Sequence, residues 1–311
     1  MVEWLKVVRA LGSAVLLVLS DGAMADQLQV VYPLSLSATD SQYDFDYELL
    51  RLALATTTAE YGDFILRPSE LPMTQSRAEA DIVTGKGDVT IMARSTSIEK
   101  EATMLPIRIP IDKGLISYKV FLIRAERQNE FAAINSLDDL RKLSVGSFPT
   151  WTDAKVLQDA GFTVVTSDTY EGLFAMLDEG RFDFFSRGVD EAYRELDERQ
   201  KIFPDMTVEK TILLYYPTTR YFFVQRGDAG QMLARRVEEG LNMMIADGSY
   251  DRVFQHYKAP MLERADLKDR KIFRIKNNYL SADTPFGRKE LWYSPGVKPN
   301  SAAGDENRDA E

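Results

Sequence analysis

The chain alternates between short apolar runs and longer segments whose apolar residues recur at helical spacing. LQVVYPL, residues 28–34, has the length and composition of a strand, and residues 46–60 carry apolar side chains at the spacing of a helix. A second helix is predicted over 74–84, ended by Gly85, and the run DVTIM follows as a strand. Strands that alternate with helices predict a parallel sheet covered by helices.

The middle of the chain repeats this alternation. Ser136 is placed to cap a short helix, and helices predicted over 152–160 and 170–179 alternate with the strands LSVGS, FTVVTS and FDFFS. Two long β-rich runs, 114–124 and 210–226, bracket this region. Each is long enough to cross between two lobes, so the pattern predicts one lobe built from two separate parts of the chain.

The two halves share one local pattern. TGKGDVTIMAR, residues 84–94, and EGRFDFFSR, residues 179–187, both pass from a helix through glycine, a basic residue and Asp into a strand that ends on arginine. Ligands bind at the carboxyl ends of strands in open α/β sheets, so Arg94 and Arg187 are candidates for a cleft between the lobes. Turns of the type Gly-x-x-Asp are common, and chance similarity is the alternative.

The N-terminal segment differs from the rest of the chain. Lys6 and Arg9 precede the apolar run 10–20, and Ala-Met-Ala at 23–25 is the small-x-small pattern of a signal peptidase site. We expect residues 1–25 to be a signal peptide cleaved after Ala25. A membrane anchor is the alternative, but a span needs about 20 apolar residues and this run is shorter.

Composition limits the possible compartments and partners. The 311 residues contain no cysteine, so the fold cannot be stabilised by disulfides and the exported chain cannot carry a lipid-modified cysteine. The formal net charge is −10 and no basic cluster is interleaved with aromatic residues, which argues against a nucleic-acid partner. We expect a monomeric protein in the periplasm of a Gram-negative bacterium.

Four stretches, taken in order, resemble the family-3 solute-binding proteins of ABC importers. LNMMIADGSYDRVFQHY, residues 241–257, resembles the closing helices of that family with their Asp-Gly-x-Tyr turn. SLDDLRKLSVGS, GRFDFF and GDVTIMARSTSIEKE resemble the start of its second lobe, a late second-lobe strand and its first-lobe ligand loop. The resemblance implies an α/β, two-lobed periplasmic binding protein fold (type II). Each lobe would be a mostly parallel sheet flanked by helices, joined to the other by a two-strand hinge.

The resemblance also implies domain boundaries. Lobe one would comprise residues 26–120 and 222–293, and lobe two residues 121–221. An extension from about residue 267 passes the usual end of the family and is assigned to the second part of lobe one. Residues 294–311, rich in Pro, Asn, Ser, Asp and Glu, are predicted to be disordered.

The ligand signature of the family is altered in this chain. The family's pair of hydroxyl residues falls on Ser95 and Ser97, and its carboxylate-clamping arginine falls on Lys100, a point charge in place of a bidentate fork. In lobe two, the carboxylate that holds an α-amino group would fall on Gly188, next to Arg187. The resemblance therefore favours a ligand other than a standard α-amino acid.

A second departure lies in SFPTWTDAKVL, where amino-acid binders usually show Gly-Thr-Thr. Trp151 and Thr152 fall on the two threonines, and Thr150 or Thr152 is placed to cap the next helix. Trp151 offers a flat wall for a ligand, with a core position as the alternative. The expected ligand-binding residues are Arg94, Ser95, Ser97, Lys100, Trp151, Thr152 and Arg187. The three positive groups among them favour a polar or anionic solute.

The ligand loop also has a structural interpretation. Thr96 with Glu99 three residues later fits a capping box, and this is compatible with binding by the neighbouring serines.

The expected function is capture of a small solute by lobe closure, with an ABC permease of the inner membrane as partner, and without catalysis or a cofactor. A sensor without transport remains an alternative. A catalytic relative, such as a dehydratase or lyase that uses Asp153, Asp190 or Glu191, is another alternative. These carboxylates would have no catalytic role if they only cap helices or face solvent.

Metal chemistry is not expected. The single histidine, His256, is predicted to face solvent on a helix. Tyr215 and Tyr216 are adjacent, as in ferric-ion binders, but strand alternation would point them to opposite faces.

Overall fold

The computed structural model describes residues 27–35 and 43–296, so the predicted signal peptide and most of the predicted disordered tail lie outside the described residues. The strands are β1 (Leu28–Leu34), β2 (Phe64–Pro72), β3 (Ile91–Ser95), β4 (Leu105–Ile107), β5 (Tyr118–Arg124), β6 (Ser144–Ser147), β7 (Thr163–Thr166), β8 (Phe184–Gly188), β9 (Met206–Val208), β10 (Ile212–Tyr215), β11 (Arg220–Val224) and β12 (Lys271–Arg274). The helices are α1 (Asp44–Thr56), α2 (Thr58–Tyr61), α3 (Gln75–Thr84), α4 (Ile98–Thr103), α5 (Gln128–Ala132), α6 (Leu137–Arg141), α7 (Thr152–Asp159), α8 (Tyr170–Asp178), α9 (Val189–Arg199), α10 (Asp228–Ala246) and α11 (Ser249–Ala265). No helix within these ranges is both long and apolar enough to span a membrane.

The middle of the chain forms one large sheet with the strand order β12-β10-β5-β8-β6-β7, and β9 pairs with β5 beside this path. β6 is parallel to both β7 and β8, as the alternation of strands and helices predicts. β5 runs antiparallel to β8 and β10 because it carries the chain into this sheet from the other lobe. Aromatic packing fills the core on one face, where the Phe121 and Phe184 ring centroids lie 4.5 Å apart.

The other lobe combines a parallel pair, β1 and β2, with an antiparallel group in the order β3-β11-β4. β11 is antiparallel to its neighbours because it returns from the large sheet. Hydrogen bonds between Val31 and Thr90 link the two groups, at 2.9 Å in each direction. Both lobes thus combine sheets with flanking helices, and the predicted α/β fold is confirmed.

Two segments cross side by side between the lobes, one before β5 and one between β10 and β11. The Ser117 hydroxyl joins them, because it donates to the Thr218 carbonyl at 2.7 Å and accepts from the Thr218 amide at 3.0 Å. The crossing segments lie within the β-rich runs 114–124 and 210–226.

The C-terminal extension is divided between the lobes. β12 pairs in parallel with β10 at the edge of the large sheet, so the prediction that placed the whole extension in lobe one is wrong for this strand. The physical reason is that the edge of β10 offers unpaired backbone groups to a further strand. The extension then returns to the first lobe, where the Trp292 ring covers Gly114 and the Tyr293 amide donates to the Lys113 carbonyl at 2.7 Å.

Helices α1 and α10 pack closely because Gly240 has no side chain. A Cβ atom at this position would lie 2.1 Å from the Ala53 carbonyl oxygen, a backbone atom that cannot rotate away. The helix contact therefore requires glycine here despite its poor helix propensity.

We predict that Gly240→Ala lowers the free energy of unfolding by about 1–3 kcal/mol, because forcing atoms into a packed contact outweighs the better helix propensity of alanine. Urea denaturation measures the change. Gly287→Ala is the matched control, since a Cβ there meets nothing within 4 Å. Equal stability of Gly240→Ala and the parent protein would contradict the packing argument.

Candidate functional site

A small cavity of about 60 Å³ lies between the lobes, at the carboxyl ends of β3 and β8. Six of the seven predicted binding residues are on its wall: Arg94, Ser95, Lys100, Trp151, Thr152 and Arg187. Residues that the sequence analysis did not assign to binding complete the wall: Tyr43, Gln75, Ala93, Ile116, Lys119, Thr150, Asp153, Glu191 and Arg220.

Ser97, the seventh predicted residue, does not line the cavity. It is buried at the N-cap of α4, where its hydroxyl accepts from the Lys100 amide at 3.3 Å. The predicted cap, Thr96, instead donates its hydroxyl to Glu101 at 2.7 Å. The prediction that Thr96 is the cap is wrong, because the helix begins one residue later than the Thr96–Glu99 capping box implies, and the hydroxyl of Ser97 is used by the backbone.

Arg94 extends from the end of β3 but is already paired. Its guanidinium contacts the Glu79 carboxylate on α3 at 2.8 Å. The charge of Arg94 is therefore largely neutralised within the first lobe.

Lys100 is the cation of the wall without such a partner. Its ammonium forms no ion pair with any residue in 27–35 or 43–296. The three carboxylates that act on it, Glu79, Glu99 and Asp153, pair with Arg94, Lys155 and Lys119, respectively. Burial, and secondarily the charge of Arg94, lower the pKa of Lys100. The lysine is thus a half-buried charge directed at the cavity wall, and one that a ligand anion would stabilise.

Arg187 is buried and held by two carboxylates. It contacts Glu195 at 2.7 Å and Glu191 at 3.2 Å, and its guanidinium lies 4.5 Å from the centre of the Trp151 ring. Burial alone would lower the pKa of Arg187, but Glu191 and Glu195 raise it well above its usual range. Its charge is balanced inside the lobe by these carboxylates, and its guanidinium packs against the ring of Trp151.

Trp151 lies on the wall of the cavity and also packs against the core, so the two positions considered from the sequence, cavity wall and core, are compatible. Its ring stacks at 6.2 Å on Phe185 and lies near Tyr170. Trp151 itself is the N-cap of α7 and makes no side-chain cap. The prediction that Thr150 or Thr152 caps this helix is therefore wrong, and Thr152 is the first helical residue.

Lys119 and Asp153 form a buried pair at 2.7 Å on the wall, and the Tyr216 hydroxyl also donates to Asp153. Burial raises the pKa of Asp153, but Lys119 and Tyr216 outweigh this effect and lower it below its usual value. A lysine inside the apolar strand YKVFLIR was the sequence signal for this pair, because a charge in a buried strand needs a partner. Arg220, in the run RYFFV, is the equivalent case and pairs with Asp46.

The paired charges leave the cavity polarised. On the first-lobe side, Arg94 and Arg220 are matched by carboxylates, so Lys100 remains in excess. On the opposite side, Lys119 pairs with Asp153 and Arg187 with Glu191, while Glu195, behind the wall, contacts both Arg187 and Arg194. The wall therefore has an unpaired cation on the first-lobe side and carries its carboxylates, Asp153 and Glu191, on the opposite side, which replaces the sequence-based count of three free cations.

The other candidate groups, Asp190, His256, Tyr215 and Tyr216, are not part of the cavity wall. Asp190 pairs with Lys258 of α11 at 2.8 Å, and Lys258 lowers the pKa of this buried carboxyl although burial alone would raise it. His256 is exposed, as predicted. Tyr216 faces Asp153, whereas the ring of Tyr215 packs on Tyr118 at 5.1 Å.

Neither a protein-family profile nor a curated protein sequence matches the chain. Among solved structures, an ancestral arginine-binding protein bound to arginine is 18% identical, with a TM-score of 0.52 over 75% of this chain and 99% of that one. A histidine kinase sensor domain with similarity to periplasmic binding proteins is 18% identical, with a TM-score of 0.52 over 75% and 96% of the two chains. This chain has the two-lobed fold of the periplasmic binding proteins.

A third structure with this periplasmic binding protein fold is an ancestral amino acid-binding protein, a precursor of cyclohexadienyl dehydratase. It is 18% identical, with a TM-score of 0.51 over 74% of this chain and 94% of that one. At these identities the likeness concerns the fold alone. In this periplasmic binding protein fold, the polarised cavity occupies the gap between the lobes.

We predict that Arg187→Met destabilises the protein by about 3–5 kcal/mol, because it removes the buried cation that contacts Glu195 at 2.7 Å and Glu191 at 3.2 Å, and Arg194 lies farther from Glu195, at 3.8 Å. Urea denaturation at neutral pH is the measurement. Arg181→Met is the matched control, since the exposed Arg181–Glu179 pair should contribute less than about 1 kcal/mol. A loss no larger than that of the control would show that Arg187 is available for a ligand.

Proposed function

We propose that this protein is a periplasmic solute-binding protein that closes its lobes on one small zwitterion. The observation that carries the proposal is the polarised cavity, with an unpaired Lys100 on one side and the wall carboxylates Asp153 and Glu191 on the other. A carboxylate near Lys100 and an ammonium group near Glu191 would match both sides at once. The ordinary amino-acid signature is altered in sequence, but the two charges supply an equivalent polarity, with Lys100 at the position of the clamping arginine and Glu191 three residues after the position of the second-lobe carboxylate.

The size of the cavity supports a small ligand. A volume of 60 Å³ has space for about five water-sized spheres, so it suits a ligand of few non-hydrogen atoms. The Trp151 ring and the Ile116 side chain are apolar parts of its wall. Small amino acids and compounds of similar size are therefore the class we infer.

A role as general acid is disfavoured for Asp153 and Asp190, two of the carboxyls considered for catalysis. A general acid must hold a proton near neutral pH, yet the pKa values of Asp153 and Asp190 are held low by Lys119 and Lys258. The predicted signal peptide supports a periplasmic location, and delivery to an ABC permease is the role we infer for the captured solute.

The charge requirement predicts which compounds bind. Glycine and alanine should raise the melting temperature and bind in calorimetric titration, whereas acetate and ethylamine, which each carry one of the two charges, should bind at least tenfold more weakly. Acetate binding as tightly as glycine would contradict the zwitterion, and binding of none of these compounds would contradict the proposed ligand class.

Lys100→Met and Glu191→Gln should each weaken binding by about tenfold or more, because each removes one charge from a desolvated contact. The exposed Lys86→Met is the control for loss of a lysine charge. Unchanged affinity in Lys100→Met would remove the basis of the proposal.

The affinity should also depend on pH. Because the pKa of Lys100 is lowered, its ammonium form and hence carboxylate binding are lost at a lower pH than for an ordinary lysine. Lys100→Arg should keep its charge and shift this loss to higher pH, since arginine stays protonated. Titrations of both proteins with the same ligand isolate the effect, because the ligand's own ionisation is common to both. Coincident pH profiles for the two proteins would contradict the prediction that deprotonation of Lys100 causes the loss of binding.

A further inference from the structure

The C-terminal extension contacts both lobes beside the cavity, and Tyr279 is the residue where these contacts meet. Its carbonyl accepts from the amide of Ile98, the first residue of α4, at 2.8 Å. Its hydroxyl donates to Asp159, the last residue of α7, at 2.8 Å. α4 carries Lys100 and α7 begins at Thr152, so one tyrosine joins the two helices that supply opposite walls of the cavity.

A second bridge lies next to the first. Lys155 of α7 pairs with Glu99 of α4 at 3.0 Å, and its ammonium lies 5.6 Å from the centre of the Tyr279 ring. The pair is exposed, so alone it contributes little. Together with Tyr279 it forms a network in which the ring, the ammonium and two carboxylates hold each other in place.

Both ends of the segment are fixed. Before Tyr279, β12 is paired with β10, and the side-chain amide of Asn277 donates to the Pro217 carbonyl at 2.8 Å while its oxygen accepts from the Tyr279 amide at 2.9 Å. After Tyr279, Trp292 packs over Gly114 of the first lobe. The extension is therefore a strap anchored at each end, and any separation of α4 from α7 must break the contacts of Tyr279.

We propose that Tyr279 acts as a positioning residue for lobe closure: its bridge between α4 and α7 favours the closed arrangement and slows release of the solute. The part that concerns solute release rests on the proposed function, whereas the part that concerns the lobes does not. Contacts present in only one of two arrangements shift their populations by the free energy of those contacts. One net hydrogen bond corresponds to about a fivefold change.

The absence of cysteine from the sequence makes the lobe arrangement directly measurable. Ala102→Cys on α4 and Gln158→Cys on α7 place two exposed thiols on opposite sides of the gap for spin labels. Pulsed electron resonance then gives the distribution of label distances without any ligand. In this labelled background, Tyr279→Phe and Lys155→Met should each raise the open-to-closed ratio, Tyr279→Phe by about fivefold.

Two control variants remove the same types of contact within one lobe. Tyr61→Phe deletes the hydroxyl that bonds to Glu239 inside the first lobe, and Lys142→Met deletes a pair with Asp139 inside the second. Both should leave the distance distribution unchanged. Distributions that coincide for the parent, Tyr279→Phe and Lys155→Met would overturn the proposal, whatever the ligand.

Solute release provides the second readout. With glycine bound, Tyr279→Phe should raise the dissociation rate by about fivefold in stopped-flow fluorescence of the cavity tryptophan, with Tyr61→Phe as control. An unchanged rate would overturn the role in release. If none of the small zwitterions binds but the label distances respond to Tyr279→Phe, the proposed function fails and the bridge between the lobes is supported.

Discussion

A charge that is taken out of water needs an opposite charge nearby, and this requirement organises the region between the lobes. Lys119 with Asp153 and Arg220 with Asp46 tie the crossing strands to helices of the second and first lobes, respectively. Arg187 with Glu195 fixes the end of β8 to the side of α9. The cavity is the space left between these ion pairs, so its shape and its polarity depend on which side chains form each pair.

This arrangement separates charges that build the site from charges that are available to a solute. Arg94 and Arg187 stand at corresponding strand ends in the two lobes, and both are consumed by neighbouring carboxylates. Lys100 differs because the carboxylates near it already have partners. The chemistry offered to a solute is therefore what remains after internal pairing, and one unpaired cation opposite two paired carboxylates is a different site from three free cations.

The sequence was informative where the signal was local. The alternation of strand and helix patterns predicted the α/β fold. Strand ends predicted Arg94 and Arg187 of the cavity wall, and the family resemblance predicted Ser95, Lys100, Trp151 and Thr152. Pairing could not be predicted, since Glu79 lies on a separate helix from Arg94, and Glu195 lies eight residues beyond Arg187 on a helix whose rotation relative to the strand is set by packing. The cap at Ser97 in place of Thr96 depends on a shift of one residue, and helix ends are the positions where sequence signals are weakest. The pairing of β12 with β10 depends on which sheet edge is open, which is a property of the assembled sheet.

The position of β12 has a consequence for the solubility of the chain. The strand covers the edge of β10, whose sequence ILLY combines β-branched, aliphatic and aromatic residues without a charge. β12 itself is short and begins and ends with a cation, Lys271 and Arg274. Short, charged strands at the edge of a sheet resist pairing with other molecules, whereas an apolar edge strand favours such pairing. The extension thus replaces an aggregation-prone margin with a protected one, and a chain ending before residue 271 would be exposed to intermolecular sheet formation.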